Sequence, residues 1–328
     1  MPQTPGKPNK PRAGRRLVRW IALLLGGIFV LLVASDLILG LVFGLGNPVL
    51  IAPDAACNYI TKPNQNVYRF FKHTRTNQYG MRSAPFPAVP PAGTMRILFV
   101  GDSVTYGTSR VGQSQIFTQI LRRELPAVVD RPVEVLNASA SAWAIDNELS
   151  YIRSRGIFDA NPVVLVVNDG DVTQPRSTMA QLGSEQLRAR PATALSEVWM
   201  RFIAPRLFDE APRVDAGDSI MADAAKITRA NLADLDAFQK IVSSDGSRMV
   251  LMYVPLRHDL PDAAAPEETI LRNWAAAEHV AMLDLTSTEM NYSTHAITLD
   301  GNHLNAEGNR VIADAVEKLW PRTVGLSK

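Results

Sequence analysis

Apolar positions along the chain form one long block and then a series of short ones. From Trp20 to Phe43 almost every side chain is apolar. At a helical rise of about 1.5 Å per residue such a run spans roughly 36 Å, enough to cross a hydrocarbon core of about 30 Å with some tilt. The pattern predicts a transmembrane helix. Asp36 interrupts it, and an ionised carboxylate at the bilayer centre costs about 2.5–3.5 kcal/mol on insertion scales, so Asp36 is expected toward the outer leaflet. A cleaved signal peptide is the competing reading, but its apolar core is usually only about 7–15 residues and this one is longer. From Gly46 to Thr94 the prolines at 48, 53, 63, 85, 87, 90 and 91 favour extended backbone, read as a stalk that wraps onto the following domain.

From Met95 onward, strand-like and helix-like runs alternate. Met95–Val100, Val133–Leu136, Val163–Val167, Arg248–Val254 and Val280–Leu285 are apolar and rich in β-branched residues. Ile116–Leu125, Ile145–Arg155, Ala222–Ile241 and Ala306–Trp320 carry apolar residues at helical spacing. Alternation of this kind predicts a three-layer α/β/α domain with a five-stranded parallel sheet, for which the flavodoxin-like order 2-1-3-4-5 is assumed. The chain thus divides into a basic tail (1–19), an anchor (20–45), a stalk or preamble (46–94) and an α/β domain (95–328). An insertion at about 172–247, of which 173–218 shows no clear pattern, is read as a substrate-specific lid.

Charge sharpens the membrane reading. The net charge of +2 hides six cations and no acid before the apolar block, Lys7, Lys10, Arg12, Arg15, Arg16 and Arg19, leaving 28 basic against 32 acidic side chains elsewhere. The positive-inside bias then keeps the N-terminus cytoplasmic and delivers the domain across an inner (cytoplasmic) membrane to the periplasmic or extracellular side, in a single pass. Excess positive charge confined to such a tail argues against a nucleic-acid partner. Cys57 is the sole cysteine, so no internal disulfide exists. Neither a cysteine cluster nor a paired-histidine helix suggests a metal, no cofactor is called for, and no protein partner can be named.

Candidate chemistry lies where the first strand stops. Gly101-Asp102-Ser103 follows that strand directly, and in open α/β sheets ligands bind outside the carboxyl ends of strands. Far downstream, Asp300-Gly301-Asn302-His303 leads into the last helix. An aspartate three residues before a histidine can hold one imidazole nitrogen and leave the other to face Ser103, which supplies a nucleophile, a base and an orienter. With the predicted sheet order, Ser103, Ala142 and Asn168 all stand just past strand ends. The backbone N–H groups of Ser103 and Ala142 and the Asn168 amide are the expected oxyanion donors. Asp102 and Thr105 are expected to hold the serine turn by side-chain-to-backbone hydrogen bonds. Asp169 and Asp171 are alternative orienters of His303. His258, after the fourth strand, and His295, shortly before Asp300, are candidate substrate contacts. His73, His279 and Arg82 are read as surface residues, with Arg82 steadying the serine loop as the alternative.

These motifs resemble those of the SGNH (GDSL-type) hydrolase superfamily, with Gly101-Asp102-Ser103 as first block, Asn137–Ala142 as second, Asn168-Asp169 as third and Asp300–His303 as last. Thr76–Arg82 is similar to a preamble carried by membrane-anchored members. Two departures stand out: Ala142 occupies a position usually glycine, and Val166 replaces a glycine often found two residues before the third-block asparagine. The resemblance implies an envelope-facing serine esterase or deacetylase with an acyl-serine intermediate, acting on an O-acylated carbohydrate or lipid. Alternatives are an O-acyltransferase using the same site in surface-polysaccharide modification, and a catalytically idle binding or assembly subunit.

Overall fold

A computed structural model of the chain describes residues 12–168, 170–182, 186–208, 218–255, 266–287 and 294–325. The central sheet contains β5 (Met95–Gly101), β6 (Val133–Ser139), β7 (Val163–Asn168), β8 (Met249–Val254) and β9 (Ala281–Asp284). Their spatial order is β6-β5-β7-β8-β9, all pairs parallel. Numbered within this sheet, that is 2-1-3-4-5, the flavodoxin-like order assumed for the sequence. Nearly continuous Val, Ile, Leu and Met fill β5, β7 and β8 because both faces of a parallel sheet are covered.

The two faces have separate cores. One takes Leu98 and Val100 of β5 against α4 (Ile145–Arg155), α7 (Asp218–Ser244) and α8 (Pro266–Ala277), through Leu149, Phe238 and Trp274 among others. The other takes Ile97 and Phe99 against α3 (Phe117–Val129) and α10 (Ala306–Thr323), through Phe117, Ile312 and Trp320. Helix α7 therefore belongs to the layered domain as the crossover from β7 to β8. Its part of the 172–247 stretch packs under the sheet and is no lid.

Ahead of the sheet, α1 (Arg12–Phe43) is long and apolar enough to cross a membrane, and no residue of its most apolar stretch is buried within the molecule. The proline-rich segment after it does wrap onto the domain, but as two hairpins instead of a simple extended stalk. These are β1 (Ile51–Asp54) with β2 (Asn58–Thr61), and β3 (Asn66–Arg69) with β4 (Lys72–Arg75). Cys57, Tyr59, Ile60 and Met81 from this segment enter the first core. Arg69 of β3 makes a bidentate pair with Glu197, both side chains almost wholly buried, one contact being Nη1 to Oε2 at 3.0 Å. Breaking such a pair from one side leaves an uncompensated buried charge, a loss of about 3–5 kcal/mol. Desolvation opposes ionisation of Glu197, but Arg69 and the Gly46 N–H hold its carboxyl below the usual range.

Candidate active site

Strand register brings three of the expected residues together. Gly101 pairs with Ser139 across β5 and β6, and Val100 with Leu165 across β5 and β7. Ser103, Ala142 and Asn168 each follow shortly after those partners, so all three emerge at one edge of the sheet, over its switch point. Ser103 opens the short helix α2 (Ser103–Tyr106), and Asp102 caps it by accepting the Val104 N–H at 2.8 Å. The second Asp102 oxygen accepts the Asn168 amide at 3.1 Å and lies 3.4 Å from Ser103 Oγ. Asp102 thus braces the serine turn as expected, and also ties the third strand to it.

Gly101 is required by close packing. A Cβ there would stand 2.2 Å from Thr105 Oγ1 and 3.2 Å from Val166 Cβ. Val166, one of the two departures from the family pattern, fills space that Gly101 leaves. The expectation for Thr105 is corrected: its hydroxyl is buried and has no hydrogen-bond partner among the described residues, so it packs and does not hold the turn. The turn is held instead by Asn137, whose amide donates to Thr105 O at 2.7 Å and Thr118 Oγ1 at 2.9 Å.

Arg82 is the second correction. It is fully buried, not a surface residue, and donates to Tyr106 O at 2.8 Å, Thr108 O at 3.1 Å and Val111 O at 2.6 Å, with its guanidinium over the Tyr106 ring. The preamble therefore clamps the loop that follows the serine, which is the alternative weighed for this residue. Burial lowers its pKa to about 10. His73 and His279 are exposed, as read.

Three acids in and near the serine turn lie away from water. Asp102, Glu148 and Asp171 are buried, and desolvation pushes all three carboxyls up. The Asp102 charge adds to the rise at Glu148 and Asp171, and His303 draws Asp102 back in part. Asp171 accepts the Asn168 backbone N–H at 2.8 Å, so it braces the third strand's end. Its carboxylate is spent there and does not orient the histidine. Asp169 and His258 lie outside the described residues. His295 lies on the short helix α9 (Thr294–Ile297).

The expected base is positioned locally. Asp300 Oδ1 accepts the N–H groups of Asn302 at 3.2 Å and His303 at 2.9 Å, and Asp300 Oδ2 lies 2.9 Å from His303 Nδ1. Gly301 takes φ +87°, the left-handed turn that lets one aspartate reach both. Leu299 N–H donates to His303 O at 2.7 Å and closes the loop just ahead of α10. Desolvation opposes ionisation of Asp300, but hydrogen bonds and charge from His303 keep its carboxyl below the ordinary range. Nδ1 engaged by a carboxylate leaves Nε2 as the nitrogen available for proton transfer.

Asp300 and His303 line a pocket of about 300 Å³ together with Tyr106 of α2 and Ser141, the residue before Ala142. Its other walls are the preamble (Val49, Ile51, Thr61, Arg69, Phe70), the loop after the serine (Thr108, Ser109, Arg110), Leu299 and the insertion (Gln186, Arg201, Phe202). Of the residues expected to act, Asp300 and His303 line this crevice, while Ser103, Ala142 and Asn168 are represented on it only by their neighbours Tyr106 and Ser141; its remaining walls come from segments for which the motifs made no provision. Among the described residues no cluster of histidine, cysteine or acids is arranged to hold a metal.

No family model and no curated protein sequence matches the chain. Solved structures similar to it include a member of the lipolytic protein G-D-S-L family from Veillonella parvula, 14% identical, covering 70% of this chain and 99% of that one with a TM-score of 0.42. The acetylxylan esterase Axe2 from Geobacillus stearothermophilus is 13% identical, covering 70% and 94%, with a TM-score of 0.43. The esterase EstA from a Pseudoalteromonas species is 12% identical, covering 68% and 94%, with a TM-score of 0.39. The activities in those names belong to those proteins.

Proposed function

We propose that the chain is a membrane-anchored, envelope-facing serine esterase or deacetylase that acts through an acyl-serine intermediate on an O-acylated carbohydrate or lipid. The observation that carries this reading is the Asp300–His303 pair, 2.9 Å apart, on a pocket that Tyr106, three residues after Ser103, also lines. In the reaction, the Ser103 hydroxyl turns from Asp102 to His303 Nε2 and attacks the ester carbonyl as its proton passes to the imidazole. The N–H groups of Ser103 and Ala142 and the Asn168 amide meet the charge on the carbonyl oxygen; one amide hydrogen serves Asp102 and the other the oxyanion. Protonated His303 then returns the proton to the departing alcohol. Water, activated by the same imidazole, releases the acyl group and frees Ser103.

Labelling of the full chain with a fluorophosphonate tests the nucleophile: one adduct on Ser103, absent from Ser103→Ala, is expected. An adduct that survives Ser103→Ala would overturn the reading. Product analysis with and without a saccharide acceptor separates release of free acid from acyl transfer. A reporter active only outside the cytoplasm, fused after Lys328, should be active if α1 anchors the chain as proposed.

A further inference from the structure

One side of the insertion forms an apolar surface that the catalytic site does not use. After Thr193, α5 (Ala194–Val198), a π-helical turn (Trp199–Ile203) and α6 (Ala204–Phe208) run on as one helical rod. Its inner side is occupied by Glu197, paired with Arg69 and, at 3.1 Å, with Arg201. Trp199, Met200, Ile203 and Leu207 are exposed and recur at i, i+1, i+4 and i+8, which places them on one face. Phe208, also exposed, extends it.

The level of this face follows from where the rod meets α1. Asp36 Oδ1 accepts the Leu195 N–H at 2.8 Å, at the first turn of α5. Gly40 lies against Ala194, close enough that a Cβ there would touch it at 4.0 Å. Beyond Ser35, the α1 positions partly covered are Asp36, Leu39, Gly40 and Phe43, a single helical stripe, while Leu37, Ile38, Leu41 and Val42 stay exposed. A hydrocarbon core of about 30 Å takes roughly 20 helical residues. Counted from Trp20, just after the last cation of the tail, the core ends near Leu39. The rod is therefore attached where α1 passes from acyl chains to headgroups, the depth at which tryptophan is enriched. Asp36, costly inside lipid, is satisfied there by a helix N-terminus.

We propose that Trp199, Met200, Ile203, Leu207 and Phe208 are seated in the outer leaflet at the boundary of headgroups and acyl chains, as a second membrane contact beside α1. Arg201 and Phe202 of the same rod line the pocket that holds His303. A helix with its side chains is about 10–12 Å across, so the pocket lies within about that distance of lipid. Of the two substrate classes proposed above, this selects an ester carried by a lipid. The inference rests on the anchored-esterase reading.

Environment-sensitive fluorophores on single cysteines in the full chain, reconstituted in phosphatidylethanolamine–phosphatidylglycerol vesicles, test it. Cys57 does not compete, because it is buried and desolvation with the Asp54 carboxylate pushes its thiol up to about 12. Labels at Ile203→Cys and Leu24→Cys should lose emission to brominated lipid and resist aqueous iodide. A label at Lys240→Cys, at the other end of the sheet, should do the reverse. An Ile203 label open to iodide while the Leu24 label is lipid-quenched overturns the seating and leaves the anchor standing. A Leu24 label in water overturns both. Protection of Ile203 from both quenchers, with chemical cross-linking into dimers, assigns the face to a second copy and overturns the seating; Leu207→Cys repeats each measurement should Ile203→Cys misfold. For the substrate, Leu207→Glu should reduce release of fatty acid from vesicle-borne diacylglycerol far more than hydrolysis of 4-nitrophenyl acetate. An unchanged ratio would overturn the lipid assignment. Hydrolysis of neither ester by the native chain would remove the esterase reading and the lipid assignment, while the labels still decide the seating.

Discussion

Ser103 and Asn168 stand at strand ends with 8% and 5% of their surface exposed, whereas the side chains of Asp300 and His303 are 47% and 30% exposed on a loop. The side of the site with the proposed nucleophile is held by remote parts of the chain: Arg82 from the preamble, Asn137 from β6 and Asn168 from β7. The base's side is held by its own neighbours, one aspartate reaching forward three residues. Damage to the first should therefore lower stability together with turnover, and damage to the second should lower turnover alone.

The largest effect should come from the two residues proposed to react. Ser103→Ala, His303→Ala and the double variant are expected to share one residual rate, at least about 10³-fold below the native chain, because nucleophile and base act as a unit. Asp300→Asn should retain more. Melting temperatures of His303→Ala and Asp300→Asn should stay near native, while unequal single-variant rates that multiply in the double would show that the two do not cooperate.

Arg82→Met sharpens the other side. It leaves the carbonyls of Tyr106, Thr108 and Val111 without their donor. Unsatisfied buried groups cost about 1–3 kcal/mol each, so a net loss of about 3 kcal/mol and a fall in Tm of roughly 6–12 °C are expected by calorimetry. Asn168→Ala should combine both signatures. Its kcat should drop about 10²–10³-fold with KM little changed, since the oxyanion bond strengthens only as charge develops. Its Tm should also fall, because Asp102 loses an amide partner in a dry setting. A depressed Tm with native turnover would remove Asn168 from the oxyanion hole.

The contrast also explains what could be read in advance. Strand runs such as Val163–Val167 and the Asp300–His303 spacing are local signals, and the five strands and the histidine pair follow from them. Arg82 and Glu197 carry no local sign of burial, because the groups that satisfy them lie 24 and 128 residues away. The hairpins of the preamble are four-residue strands interrupted by Pro53 and bounded by Pro63, too short for alternation to register. Helix α8 went unread although Pro266 with Glu267 and Glu268 is a recognisable helix start. The rod proposed to face the membrane has no local marker either, since its meaning depends on contact with α1.

A smaller effect concerns pH. Burial raises the Glu148 carboxyl well above its ordinary value, with the Asp102 charge adding to the rise. The folded state then holds a proton that the unfolded state releases, so stability falls as pH rises between the unfolded and folded pKa values. Glu148→Gln, which resembles the protonated acid, should flatten that decline. Thermal melts from pH 5 to pH 8 check this, and a variant whose Tm falls as steeply as the native chain's would show that Glu148 is not the group responsible.

The smallest expected effect is at Ala142, where the chain departs from the glycine of the pattern it resembles. Ala142 adopts φ +60°, the left-handed region, in which a Cβ crowds the following carbonyl. A glycine there relieves that strain but adds freedom to the unfolded chain, so the gain from Ala142→Gly should be only about 0.5–1 kcal/mol, or roughly 2 °C in Tm. Turnover should stay within about twofold, because alanine and glycine carry the same backbone N–H and the turn already presents it. The left-handed turn, held by the Gln174 amide on Ala142 O at 3.2 Å, would then be what aims the donor, with the methyl group a tolerated strain. A lower Tm in Ala142→Gly would mean that the methyl packs favourably in the crevice. A many-fold rise in kcat with unchanged Tm would mean that it crowds the acyl group, and either result would change how this edge of the site is understood.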